Sequence, residues 1–163
     1  MKNLLLMRHA TAADKTIGQK DFDREITLFG QRQAGEAGLW LKGQSLLPEL
    51  ILCSPSVRTQ MTLENMLEQM EHKVPVQLEH DIYYSSEHDL LTLLHGVKDE
   101  VDTLLIVGHN PTISFFASSL AHEEVSFNTA TIAHLHFNGF SWENLRAGTC
   151  KLHYLYQEQP ARF

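Results

Sequence analysis

Three apolar runs in the chain end in residues suited to handling phosphate. Leu4-Leu5-Leu6-Met7 is followed by Arg8 and His9, Leu50-Ile51-Leu52-Cys53 by Ser54-Pro55-Ser56-Val57-Arg58, and Leu104-Leu105-Ile106-Val107 by Gly108-His109-Asn110-Pro111. Arginine presents a planar fork of donors that matches phosphate oxygens two at a time. A neutral imidazole nitrogen is a competent nucleophile near pH 7, and a second imidazole, when protonated, adds charge and a donor. Phosphoryl transfer asks little of a protein beyond in-line positioning and charge stabilisation, and such a scheme requires no metal. If the three run ends meet, two arginines and two histidines converge on one point, a set that suits a phosphoryl group.

The runs must then be strands, and parallel ones. Short continuous apolar segments bounded by polar residues read as strands buried on both faces. Strands over Leu4–Met7, Leu50–Cys53 and Thr103–Val107, with a weaker one over Val74–Leu78, alternate with four expected helices. The first runs from an N-cap at Thr27 to Lys42 with Gly43 as its stop. Ser54-Pro55 and Asn110-Pro111 each read as a cap followed by proline at the first helical position, opening helices to about Met70 and Ala121. The remaining helix spans Ser86 to His95. Thr131–Phe137 and Thr149–Tyr156 alternate apolar and polar residues around an Asn138-Gly139 turn, as antiparallel edge strands do. The βαβα order predicts a three-layer α/β/α sandwich with a mainly parallel central sheet and an antiparallel edge, one domain over residues 1–163. Ligands of such sheets bind beyond the carboxyl ends of the strands, where Arg8, His9 and His109 fall. Arg58, in the first turn of its helix, reaches back over the same edge, and the free N–H groups there favour an anion.

Composition narrows the partners. The chain has 163 residues, 43% hydrophobic and 20% charged, an ordinary globular balance, with a formal net charge of -7. That acidity argues against general nucleic-acid binding, which relies on clustered Lys and Arg, and requires any anion site to be a local positive island. Two cysteines, Cys53 and Cys150, are too few for a disulfide or metal framework, and Cys53 reads as a buried small hydrophobe. The apolar run at Leu4–Met7 is too short for a signal peptide or a membrane span, so the expected location is cytoplasmic. A monomer is the default expectation.

The ordered motifs resemble the histidine phosphatase superfamily, which includes the phosphoglycerate mutases, and the whole chain looks like its short SixA-type branch of phosphohistidine phosphatases. The matching segments are Leu6-Met7-Arg8-His9, Asp23-Arg24 with Leu28-Phe29-Gly30, Ser54-Pro55-Ser56-Val57-Arg58-Thr59 and Gly108-His109-Asn110-Pro111. The resemblance implies a phosphoglycerate-mutase-like fold, no cofactor and no metal. It implies His9 as the nucleophile that becomes phosphohistidine, and Arg8, Arg58 and His109 as holders of the phosphoryl oxygens. Arg24 stands where the short branch keeps a further phosphate-facing arginine. Two positions depart from the pattern: Ala10 replaces a usual glycine, and Glu25 stands where proline is common.

Larger members of that superfamily use a carboxylic acid after the third strand to protonate an alkoxide leaving group. Glu79, Asp81 and Glu87 are the candidates, and their ordinary reading is solvated loop residues. Asp81-Ile82-Tyr83-Tyr84-Ser85-Ser86 instead resembles the tyrosine-serine segment of the short branch. A phosphoramidate leaves as imidazole and needs less acid help, so the expected substrate is phosphohistidine, on a signalling phosphotransfer protein. A small-molecule phosphomonoesterase and a non-catalytic phosphate-binding module are the alternatives. His134 and His136 share a strand face, at the cleft rim or on solvent, and without a Cys or carboxylate at ligand spacing no metal is assigned to them. His72, His80, His88, His95, His122 and His153 read as surface residues, Met61, Met66 and Met70 as core, and Trp40 as an anchor of the first helix against the sheet.

Overall fold

A computed structural model describes residues 1–158; residues 159–163 of the expected 1–163 domain lie outside them. Strands β1 (Lys2–Arg8), β2 (Leu50–Cys53), β3 (Val76–Leu78), β4 (Thr103–Gly108), β5 (Ile132–Phe137) and β6 (Cys150–Tyr156) form one sheet in the order β3-β2-β4-β1-β5-β6. The first four are mutually parallel, and β5 and β6 run antiparallel at one side. The mainly parallel sheet with an antiparallel edge is therefore as expected.

The apolar runs become central strands because both faces are covered. Leu4 and Leu6 of β1 join a core with Leu104, Ile106 and Phe116, whereas Leu5 and Met7 join one with Ala37, Met66 and Leu105. The first core lies under α3 (Glu87–His95) and α4 (Thr112–Ala121), the second under α1 (Leu28–Gly43) and α2 (Val57–Met70). These are the three layers. Leu4, Leu5 and Leu6 are fully buried, each side chain contributing about 1.5–3 kcal/mol. β3, by contrast, is exposed along its length at the sheet edge.

Helix caps set where the site-bearing segments turn. Thr27 accepts from Gly30 N–H as expected, but Gly43 is the last residue of α1 and not its stop. The cap of α2 is Ser56, whose hydroxyl accepts from Thr59 N–H, and not Ser54. Ser54 Oγ instead accepts from Ser56 N–H, so Pro55 lies in the turn ahead of the helix. At α4 the N-cap is Pro111, with no side-chain cap, and Asn110 instead accepts from Ser114 Oγ and donates to Phe127 O. Both corrections have one cause: a polar residue before proline satisfies the cap pattern, while tertiary partners claimed its side chain. A full capping box of Ser86 and Asp89 opens α3.

α1 and α2 approach closely at Gly38, where a Cβ would run into the Met66 carbonyl. Met66 and Met70 are core as expected, and Met61 is partly buried against the same cluster. Trp40 anchors α1 by stacking on Tyr154 and Tyr156 of the edge strand β6. Burial pushes the Cys53 thiol up to about 12, which suits an inert core position. Of the histidines expected at the surface, His80, His88, His122 and His153 are exposed. His72 and His95 are half-buried, their rings bonded to the carbonyls of Pro48 and Leu145.

Candidate active site

Strand register brings the three polar run ends together. Arg8 lies beside Gly108 in the β1–β4 ladder, and Cys53 beside Val107 in β2–β4. The ladders extend past the strands: His9 N–H donates to Gly108 O at 3.1 Å and Ser54 N–H to Val107 O at 3.1 Å. His9 and His109 therefore face each other, ring centroids 5.3 Å apart. Arg58, at the second position of α2, turns back over the strand ends with only 8% of its side chain exposed. Arg8, His9, Arg24, Arg58 and His109 all line one open cleft of about 330 Å³.

A larger cavity, about 830 Å³, lies between the β2–β3 edge and α3 and contains none of these five residues. Volume alone would favour it, but its walls carry no convergent cationic set, so the smaller cleft is the site with chemistry. Glu79 and Asp81 line that other cavity, and Glu87 is exposed at the start of α3. Among the described residues, none of those lining the His9 cleft carries a carboxylate.

Hydrogen bonds fix the two imidazoles in different ways. His9 Nδ1 lies 2.7 Å from the carbonyl oxygen of Ala10, which can only accept, so the ring proton sits on Nδ1 and the lone pair on Nε2. His109 Nδ1 faces Arg58 Nη2 at 3.4 Å, and a guanidinium only donates. The His109 proton is thus on Nε2, given to Ser54 Oγ at 2.8 Å. Burial, followed by the charges of Arg58, Arg8 and Arg24 and opposed by the Ala10 bond, lowers His9 to about 4. Burial, then His9 and Arg58, lower His109 to about 3. Both rings are neutral at pH 7, so the second histidine carries no charge until an anion supplies a reason for one.

The arginines are held from behind. Arg58 donates through Nη1 to Asp21 O at 2.8 Å and through Nη2 to Asp21 Oδ2 at 3.0 Å. Arg24 donates to Asp21 Oδ1 at 3.1 Å and to Ala13 O, and Arg8 to Phe127 O. Tyr83 OH donates to Asp21 Oδ2 at 2.6 Å, and its ring meets His109 edge-on. That phenol bond, with the two guanidiniums, holds the Asp21 carboxyl far below the usual carboxylate range. Among the described residues, the Nε atoms of Arg8 and Arg58 are buried without a hydrogen-bond partner. Unpaired buried donors are costly, and both belong to arginines that line the cleft.

Asp21, Tyr83 and Ser54 are the residues that sequence reasoning missed in these roles. Asp21 belongs to a single 3-10 turn, Asp21–Asp23, and Tyr83 follows another, His80–Ile82. Neither turn has a periodic pattern, and only the packed structure shows that they meet. Ala10 is accommodated because it lacks a positive φ; it is buried, and its N–H donates to Thr62 Oγ1. Glu25 is exposed and is not among the residues that line the cleft. His134 and His136 do not line this cleft, and they lie on β5, which β6 covers, and not on the outermost strand.

The fold and the cleft define a phosphatase hydrolase of the mutase-like α/β class. A family model for the histidine phosphatase superfamily (branch 1) matches residues 4–83. The chain is 33% identical over 149 residues to a phosphohistidine phosphatase SixA homolog of Haemophilus influenzae, covering 84% of this chain and 89% of that one. It is 32% identical over 157 residues to an uncharacterised protein of Mycobacterium tuberculosis, covering 90% and 96%. A solved structure of the protein histidine phosphatase SixA with tungstate superposes with a TM-score of 0.81 at 22% identity, covering 94% of this chain and 95% of that one. The chain belongs to the histidine phosphatase superfamily. Within it, the chain is of the SixA type. No described helix is long and apolar enough to cross a membrane.

Proposed function

We propose that this chain dephosphorylates phosphohistidine on a protein, with His9 as nucleophile and residues 1–163 acting as one domain. The observation that carries the reading is the committed His9 tautomer: Nδ1–H is tied to Ala10 O, which leaves the Nε2 lone pair as the ring's reactive site in a cleft it shares with Arg8, Arg24, Arg58 and His109. Nε2 attacks phosphorus, and the bond to the substrate imidazole breaks. The electron pair leaves on the substrate nitrogen, which takes its proton from solvent. Water then attacks the phosphorus, its proton passes to the phosphate and solvent, and the pair of the P–Nε2 bond returns to His9. Arg8, Arg24 and Arg58 hold the equatorial oxygens, and His109, its Nε2–H held by Ser54 Oγ, takes a second proton on Nδ1 once the dianion is bound and adds its charge beside the phosphoryl group.

Phosphohistidine as substrate is favoured by a cleft whose described lining holds no carboxylate, since imidazole is an easier leaving group than an alkoxide. A protein-borne substrate is favoured by the open, small cleft and by exposed Tyr84, packed on Tyr83 at its side. The Haemophilus relative is named a phosphohistidine phosphatase homolog and the tungstate complex is of a protein histidine phosphatase, which supports the same reading here.

The test is hydrolysis of a phosphohistidine-bearing protein by wild type and His9→Ala, with trapping of the enzyme intermediate. The expected result is loss of activity in His9→Ala and an acid-labile, base-stable phosphoenzyme in wild type only. Efficient turnover of alkyl phosphates with no action on phosphohistidine would overturn the substrate. Full activity in His9→Ala would overturn the nucleophile.

A further inference from the structure

A second histidine cluster lies on β5 and β6, away from the cleft. His134 and His136 project from one face of β5, and the β5–β6 register shifts next to them: His134 pairs with Tyr154, but Leu135 pairs with Leu152. His153 is the extra residue of that bulge. A bulge re-aims side chains, and here it sets both His153 and Tyr154 on the face that carries His134. Tyr154 stacks on Trp40 there, while the His153 ring lies 5.1 Å from that of His134 and 4.4 Å from that of His136. One nitrogen from each of the three rings lies within 4.8 Å of the other two.

The cluster has the parts of a ligand set. His134 is 4% exposed, and its Nε2 lies 2.9 Å from Asn3 Oδ1. The Asn3 carboxamide is itself oriented by its Nδ2–H bond to Thr103 Oγ1. Donation to that oxygen leaves the His134 lone pair on Nδ1, the outer-shell arrangement that orients metal-binding imidazoles. His136 is half-buried and His153 exposed, so the cluster is open to solvent at these two rings. Lys151 pairs with His136 across the ladder and so shares its face, with its side chain exposed. A set of three imidazole nitrogens suits Zn²⁺, Ni²⁺ or Cu²⁺ and not Mg²⁺ or Ca²⁺.

We propose that His134, His136 and His153 form a binding site for a divalent transition metal, with zinc as the test ion, that clips β5 to the edge strand β6. The site is independent of the catalytic reading. His134 and His136 pair with Leu5 and Asn3 of β1, about 13–20 Å along the strand from His9.

The test is calorimetric titration of zinc into the untagged full chain near pH 7.5, with Co²⁺ absorption reporting the ligand geometry. Three proteins are compared: wild type, His153→Ala, and a His9→Ala/His109→Ala double variant that removes the imidazoles of the cleft. Wild type and the double variant should each bind one zinc, and His153→Ala should lose at least about tenfold in affinity, the size that loss of an outer-shell partner already reaches. Zinc should raise the melting temperature of the double variant and not that of His153→Ala. Metal-free His153→Ala should keep wild-type phosphatase activity and circular dichroism. No binding by wild type, binding unchanged in His153→Ala, or binding lost only in the double variant would each overturn the site.

Discussion

Asp21 holds Arg58 by two parallel hydrogen bonds, Nη1 to its backbone oxygen at 2.8 Å and Nη2 to Oδ2 at 3.0 Å. The same Oδ2 accepts from Tyr83 and the other carboxyl oxygen from Arg24, so one side chain sets the direction of two cleft arginines. Asp21 is a positioning residue. Asp21→Asn keeps the shape and removes the charge, and kcat/KM should fall by about tenfold to a hundredfold, the range that a misplacement near 1 Å produces. Some stability should be lost with the charge beside buried Arg58, and the split between kcat and KM, read on folded protein below the unfolding midpoint, separates the positioning effect from that loss. Wild-type kinetics in Asp21→Asn would remove Asp21 from the machinery.

The three lowered histidines make stability depend on pH in a stated direction. His9, His109 and His134 stand at about 4, 3 and 4 in the folded chain, against 6.5 unfolded. Between those values the unfolded state binds more protons, so stability is full above pH 6.5 and falls as pH drops toward 4 and below. Asp21, also lowered, adds a loss that starts near the ordinary carboxylate value of about 4 and extends beneath it. Urea midpoints measured from neutral pH down through this window should decline steadily from about 6.5. The acid limb of kcat/KM should lie near 4 for the same reason, since His9 stays neutral until then. A limb at the free-imidazole value would show that His9 is not buried as described.

Much of the site was legible because continuous apolar runs, buried on both faces, end at fixed points. Arg8, His9, Arg58 and His109 follow those ends directly, and register does the rest. What was not legible depends on contacts between segments distant in sequence. Asp21 reaches Arg58 across 37 residues, and Tyr83 reaches Asp21 across 62, from turns with no period of their own. The cap of α2 was misplaced because Ser54 and Ser56 both fit the pattern, and only the contact with His109 shows that Ser54 serves the site. β6 was read as alternating, and the bulge at His153 breaks that alternation, which concealed the third member of its histidine cluster.

Gly38 tests the packing of the helical layer that carries Arg58. A methyl group there would meet the Met66 carbonyl, which is backbone and has no rotamer to yield. Gly38→Ala should therefore destabilise by about 1–3 kcal/mol despite alanine's better helix propensity. Denaturant unfolding measures it. A stabilised variant would mean that α1 and α2 separate more easily than the close approach indicates.

The cationic lining of the cleft, with His109 among it, predicts how the cleft responds to an oxyanion. A bound dianion favours the charged form of nearby groups, so tungstate or phosphate should raise His109 from about 3 toward neutrality. Binding then takes up a proton, and affinity should increase as pH falls, until the anion itself is protonated. Imidazole resonances followed by NMR through a pH titration, with and without tungstate, give the shift directly. Arg58→Lys replaces a fork by a point charge and should weaken tungstate binding by about tenfold or more. If tungstate leaves the His109 titration where it was, His109 takes up no proton with the anion, and its place in the proposed mechanism is lost.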